Sequence, residues 1–295
     1  MQKDIDVLEV DNKMKKRILS AIVIGVVLIS IWLFLFFTPV YDIFFALLSA
    51  VACFEVTRAI GLKNKQIQAV AIIFSFILPL ALTYPTRIPV GLLCILYVMF
   101  LIVMCVIHNQ EVDFSHLTGT IYASFIIPVA FSMGNLIADL YKVYDFIDER
   151  ECQFFIWFAV STSLFTDVFS QLSGMAFGKH KMTPILSPKK TIEGAVGGIS
   201  TVILLNCAWY FIYTKCFALK EFALPFGFYI LLSPVISIAG IYGDLIASFI
   251  KRKCDIKDYS NLIPGHGGVM DRFDSVALVL PTMYVLITIY GLVVG

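Results

Sequence analysis

Charge is what this chain has little of: Asp, Glu, Lys and Arg make up 15% of its 295 residues, while 59% are hydrophobic. With a mean hydropathy of +0.89, that excludes an ordinary soluble domain. The seven cysteines show no CxxC or other metal spacing, which excludes a zinc module and leaves free thiols, mostly embedded in the membrane. Low-complexity segments, a soluble second domain and a clear internal repeat are all missing. The apolar runs are continuous and do not alternate, so a transmembrane barrel is excluded and helices remain. The GMAFGK stretch from Gly174 to Lys179 is one residue short of a P-loop, carries His180 where Ser or Thr is required, and follows no strand, so it is not one.

What is present is a series of apolar runs near 20 residues, the length a helix needs to cross a bilayer core of about 30 Å. The runs predict an all-α, polytopic membrane protein of about nine transmembrane helices. The first covers Ile18 to Phe37. It is too long for a cleaved signal peptide and ends in Phe36, Phe37, Thr38 and Pro39, not at small residues. The others run from Tyr41 to Ile60, Gln68 to Tyr84, Pro89 to Ile107, Leu117 to Leu136, Cys152 to Ser170, Ala195 to Tyr213, Ala223 to Tyr242 and Ser275 to Val294. Glu55 and Arg58, near the end of the second, read as near-interface residues. With the N-terminus cytoplasmic, the inner loops and tail hold 17 of the 22 Lys and Arg and the outer loops five, which supports that orientation. Inner-face basic residues also suit anionic lipid. The net charge of +1 gives no ground for a nucleic-acid partner. Three regions are expected: a cytoplasmic tail over 1–17, N-terminal helices over 18–165, and a catalytic membrane region over 166–295 with motif loops at 166–194 and 243–275.

The later loop is the densest polar stretch. Basic loops between spans usually only fix orientation, but three features here ask for more. Asp271 and Asp274 are spaced i, i+3, so on a helix their carboxylates share a face and suit a divalent cation. Gly265, Gly267 and Gly268 precede them, and such a turn lets backbone N–H groups approach a phosphate. Asp244 ends an apolar run, where ionisable groups are expensive. In the earlier loop Asp167, a glycine-rich turn and Lys179, Lys181, Lys189 and Lys190 stand before Thr191 and Glu193. Point charges beside glycines are what a triphosphate needs, although Lys181 and Lys189 also read as orientation lysines.

Ser248, Lys251, Arg252, Lys257, Asp258, Ser260, Ile263, Pro264, His266, Gly267, Gly268, Asp271, Arg272 and Asp274 stand at the spacing of a known motif. In it the chain resembles the phosphatidate cytidylyltransferases, or CDP-diacylglycerol synthases. Asp167, Gly174, Gly178, Lys179, Ser187, Pro188, Lys190, Thr191, Glu193 and Gly194 match the same family's second motif, so the likeness covers roughly Thr166 to Ser275. It implies an integral membrane enzyme that joins CTP and phosphatidic acid into CDP-diacylglycerol and releases pyrophosphate, with Mg2+ as cofactor. Whether a second cation or a homodimer is involved is left open. The expected metal ligands are Asp244, Asp271, Asp274 and Asp167. Asp271, Asp244, Arg272 and Lys190 are expected to be catalytic, and Lys179, Ser187, Thr191, Lys251, Arg252, His266, Gly267 and Gly268 to bind substrate. Two departures stand out: Ala247 replaces a Glu common in the family, and Ser170 and Gln171 replace an Ala-Tyr pair.

Other readings make different demands. A CDP-alcohol phosphotransferase needs D-G-x-x-A-R, which is absent. A CTP-dependent lipid kinase would yield CDP in place of pyrophosphate, and a synthase acting on an ether-lipid phosphate differs only in its lipid. A transporter or scaffold would make Glu55 and Asp244 isolated ion sites, leaving two phosphate-like loops on one face unexplained. The compact length suggests a bacterial plasma membrane with the site facing the cytoplasm.

Overall fold

The computed structural model describes residues 38–84, 89–218, 221–263 and 267–294. The expected tail, the expected first span and His266 lie outside the described residues. Within them, eight helices are long and apolar enough to cross a membrane, and each coincides with one of the remaining expected spans. They comprise α1 (Thr38–Ala59), α2 (Lys65–Thr83), α3 (Val90–Ile107), a continuous segment built from α4 (Phe114–Ile121), a π-turn (Tyr122–Ile126) and α5 (Ile127–Ala138), then α6 (Glu149–Phe177), α7 (Ile192–Cys216), α8 (Phe226–Lys253) and α10 (Val276–Val294), the last preceded by the single turn α9 (Met270–Phe273). The π-turn has a local cause: Pro128, in the first turn of α5, has no N–H for the carbonyl of Ser124. The Ser75 hydroxyl from α2 donates to that carbonyl at 3.5 Å.

Apolar faces supply the main core, which draws on α1, α5, α6, α8 and α10. A smaller cluster between α2 and α3 includes Ile67, Phe74 and Leu101. Hydrocarbon offers helices little hydrophobic drive toward one another, so close packing and polar ties matter more. Asn206 of α7 donates to Thr162 Oγ1 of α6 at 2.8 Å and to Ser233 Oγ of α8 at 3.0 Å. Thr166 Oγ1 donates to Ser237 Oγ at 3.0 Å. Where α6 and α7 converge, a Cβ on Gly194 would lie 2.6 Å from the Ser170 carbonyl, and one on Gly198 2.8 Å from the Ser170 amide. Ser170, one of the two departures, is thus the small residue on which these glycines pack.

Two helices exceed their expected ends. α6 continues through Phe177 and α8 through Lys253, so Asp167, Gly174, Asp244 and Lys251 are helical and not in loops. On α8 the charges of Asp244 and Lys251 find partners within the protein, which lets that helix continue beyond the apolar run. A short antiparallel hairpin follows α6: β1 (Lys181–Thr183) pairs with β2 (Ser187–Thr191), Lys181 opposite Thr191 and Thr183 opposite Ser187.

Candidate active site

The two polar stretches meet at one end of the helix bundle. Thr191 caps α7, its Oγ1 accepting the Gly194 N–H at 3.1 Å, and this fixes where β2 ends and Lys190 points. Lys190 Nζ lies 2.5 Å from Asp244 Oδ2 on α8 and 3.9 Å from Asp167 Oδ1 on α6. The Lys190 and Asp244 side chains are each 24% exposed, so the pair is screened less than a surface pair. Asp167 Oδ2 accepts the Ser275 hydroxyl at 3.1 Å, and Asp274 Oδ1 accepts the Ser275 N–H at 2.8 Å. Two helical carboxylates and that of Asp274, in the turn between α9 and α10, are thereby linked through one lysine and one serine.

Asp271 is built differently. Its Oδ1 accepts Lys251 Nζ at 2.8 Å, and its Oδ2 accepts the N–H groups of Tyr259 and Gly268 at 2.8 and 2.9 Å. A carboxylate with three donors thus ties Lys251, Tyr259 and Gly268 to the start of α9. Gly267 is required there, with φ at +84°, a region L side chains avoid. Lys251 is also 3.9 Å from Asp274 Oδ2 and 5.4 Å from the Tyr259 ring centroid, a cation–π distance. Burial pushes the Tyr259 hydroxyl far above its usual range, with the nearby Tyr122, Asp274 and Asp271 adding to the effect. It therefore stays a neutral donor, reaching the Ala247 carbonyl at 3.4 Å. Ala247 itself is buried in the core at 1% exposure.

A cavity of about 1560 Å³ opens over these groups. At its polar end stand Asp167, Ser187, Lys190, Thr191, Asp244, Lys251, Asp271, Arg272 and Asp274. Lys181 and Lys189, read as orientation lysines, line it too, as does Asp258. Its apolar wall includes Phe44, Leu47 and Val51 of α1 and Leu164, Val168 and Met175 of α6. Lys179, Arg252, Gly267 and Gly268 do not line it. Instead the Lys179 N–H donates to Glu193 Oε2 at 3.0 Å, and Arg252 Nη1 donates to the Ile256 carbonyl at 3.3 Å. Glu193 also accepts the His180 N–H, at 3.1 Å, and pairs with His180 Nδ1, so it holds the turn that leads into the hairpin. Among the described residues no three Asp, Glu, His or Cys side chains already converge as a metal cage.

One further residue matters here. Glu55, on α1, is 1% exposed. It accepts the Ser260 hydroxyl at 2.5 Å and the N–H groups of Val269 and Met270 at 2.9 and 2.7 Å. The near-interface reading is therefore corrected: its carboxylate faces the protein interior because unpaired donors wait there.

A bilayer-length helix bundle, with a cavity that is ionic at one end and apolar along its wall, defines a membrane protein suited to an amphiphilic, phosphate-bearing ligand. The cytidylyltransferase family model matches residues 15–290, and the chain belongs to that family. It is 28% identical over 287 residues to the phosphatidate cytidylyltransferase of Bacillus subtilis (strain 168), covering 94% of this chain and 99% of that one. It is 36% identical over 133 residues to that of Staphylococcus haemolyticus (strain JCSC1435), covering 45% and 48% respectively. The enzyme of Staphylococcus aureus (strain COL) is likewise 36% identical, over 134 residues.

Proposed function

We propose that this protein transfers the cytidylyl group of CTP to phosphatidic acid, giving CDP-diacylglycerol and pyrophosphate. The observation that carries this reading is a cavity in which Lys190, Lys251 and Arg272 stand beside a long apolar wall. A nucleotide triphosphate suits the first part and a diacylglycerol body the second. The family match and the relatives' names support the same reaction.

In the proposed step a phosphate oxygen of phosphatidic acid attacks the α-phosphorus of CTP. A new P–O bond forms, the bond from that phosphorus to the β-phosphate bridging oxygen breaks, and pyrophosphate leaves with the electron pair. The nucleophile is already an anion, so no general base is required. The barrier is mostly repulsion between polyanions, which preorganised cations reduce. Lys190, Lys251 and Arg272 are assigned that task.

Magnesium is assigned to the Lys190 junction, where Asp167, Asp244 and Asp274 would offer hard oxygen donors; Lys190 Nζ lies 2.5 Å from Asp244 and 3.9 Å from Asp167. Bound there, magnesium would supply Lewis-acid neutralisation of phosphate charge. Asp271 has Oδ2 saturated by two amides and only Oδ1 able to accept further, so its first task is to hold its own turn and Lys251. The bias of basic residues supports a cavity on the cytoplasmic side of a bacterial inner membrane.

Products test the reaction. Purified protein supplied with phosphatidic acid, Mg2+ and CTP is expected to release pyrophosphate and no CDP. Formation of CDP would show a lipid kinase instead.

A further inference from the structure

The donors around Glu55 belong to the turn that carries Asp271, Arg272 and Asp274, though Glu55 itself lies on a helix outside both polar stretches. Its Oε1 takes the Ser260 hydroxyl and the Val269 N–H, and its Oε2 the Met270 N–H. Gly268 passes so close that an added Cβ would lie 2.5 Å from Oε1. That glycine is therefore fixed by a protein carboxylate, although the sequence pattern alone reads it as room for phosphate. Burying a carboxylate in a membrane helix is expensive unless donors compensate it. Here two backbone amides and a hydroxyl do so, and the same bonds satisfy the first N–H groups of α9.

The turn is thus held at two points. Asp271 ties Tyr259 and Gly268 from within, while Glu55 ties Ser260, Val269 and Met270 from outside. Without Glu55, Met270 and the adjacent Asp271 could pivot about the inner bonds, and Lys251 would move with its partner. We infer that Glu55 is a positioning residue for the transfer reaction: it ties Ser260, Val269 and Met270 to α1 and so sets where Asp271, Arg272 and Asp274 stand in the cavity. This inference rests on the cytidylyl-transfer reading.

The test compares wild type with Glu55→Gln and Ser260→Ala in detergent. It measures thermal unfolding, kcat and KM for CTP, and amide hydrogen exchange across 259–272. A glutamine turns one of the two acceptor oxygens into a donor facing a donor, so at least one bond is lost while side-chain size is kept. For Glu55→Gln the expected result is faster exchange confined to that turn, with α6, α8 and α10 protected as in wild type. Its kcat is expected to fall about tenfold or more, with KM for CTP changed less. Ser260→Ala removes one donor and should show a smaller effect of the same kind.

Wild-type exchange and kcat in Glu55→Gln would overturn the inference. If Glu55→Gln unfolds throughout, Ser260→Ala decides. Local deprotection with reduced kcat supports positioning, whereas wild-type exchange and kcat there assign Glu55 to global stability and overturn it. Failure of the reaction reading itself is separate, because wild type would then form no lipid product at all.

Discussion

Lys190 and Asp244 face each other at 2.5 Å across the junction of β2 and α8. They come from the two polar stretches, 54 positions apart in number, and their contact turns two loops' worth of charge into one site. Asp167 is 3.9 Å from the same lysine, and two carboxylates without that cation would remain if the lysine were removed.

Lys190→Met keeps most of the side-chain volume and deletes the charge. Cytidylyl transfer is expected to fall about a hundredfold, the scale of losing one preorganised electrostatic contact, while the protein still purifies as a folded species. Activity within twofold of wild type would remove Lys190 from the catalytic assignment.

Asp271→Asn separates the two tasks of that side chain. Its carbonyl oxygen can still accept the Tyr259 and Gly268 amides, but its NH2 then confronts Lys251 Nζ. The variant is expected to fold and to lose about a hundredfold in turnover. Wild-type turnover in a well-folded preparation would sink the role given to the Asp271 and Lys251 pair.

Gly194→Ala tests the packing of α6 on α7. The new methyl meets the Ser170 carbonyl at 2.6 Å and Gly174 Cα at 3.0 Å, both backbone atoms that cannot rotate away. Destabilisation of about 1–3 kcal/mol is expected, read as a lower unfolding temperature in detergent. Gly227→Ala is the control, since nothing lies within 4 Å of its added Cβ, and it should unfold as wild type does. Equal unfolding temperatures for the two variants would contradict the packing account.

Ala247→Glu tests one of the two departures from the motif. Here position 247 is 1% exposed and in the core, and the Tyr259 hydroxyl reaches its carbonyl. The expected outcome is reduced thermal stability, by about 2 kcal/mol or more for an uncompensated polar group, with no gain in turnover. A more active, equally stable variant would show that this chain lacks a group it can use.

Hydropathy alone located eight spans, all of their starts and six of their ends to within a few residues, because a bilayer-length apolar run has few other solutions. It misplaced the ends of α6 and α8 for a physical reason. On α8 a hydropathy window treats Asp244 and Lys251 as groups that need water, whereas ion pairs satisfy them inside the fold; on α6 the residues past Ser170 are the polar and small Gln171, Ser173 and Gly174, which end an apolar run without ending a helix. The residue types at the site were legible from glycine, acid and base placed close together, but their pairing was not. Lys190 with Asp244, and Lys251 with Asp271, depend on helix packing. Glu55 was least visible, since its partner Ser260 is 205 residues away and a lone glutamate near a helix end looks like an interfacial one. Tyr259 stood within the motif stretch between two motif positions, with nothing in its neighbours to show that its amide and ring would hold Asp271 and Lys251.

The central claim is that the polar end of the cavity joins CTP to the phosphate of a lipid. Its most direct test uses purified protein in detergent with phosphatidic acid, Mg2+ and CTP labelled on the α-phosphate, following the label into the organic phase. The account predicts labelled CDP-diacylglycerol with one pyrophosphate released per lipid formed. Label that stays in the aqueous phase, from folded protein with accessible lipid, would contradict it.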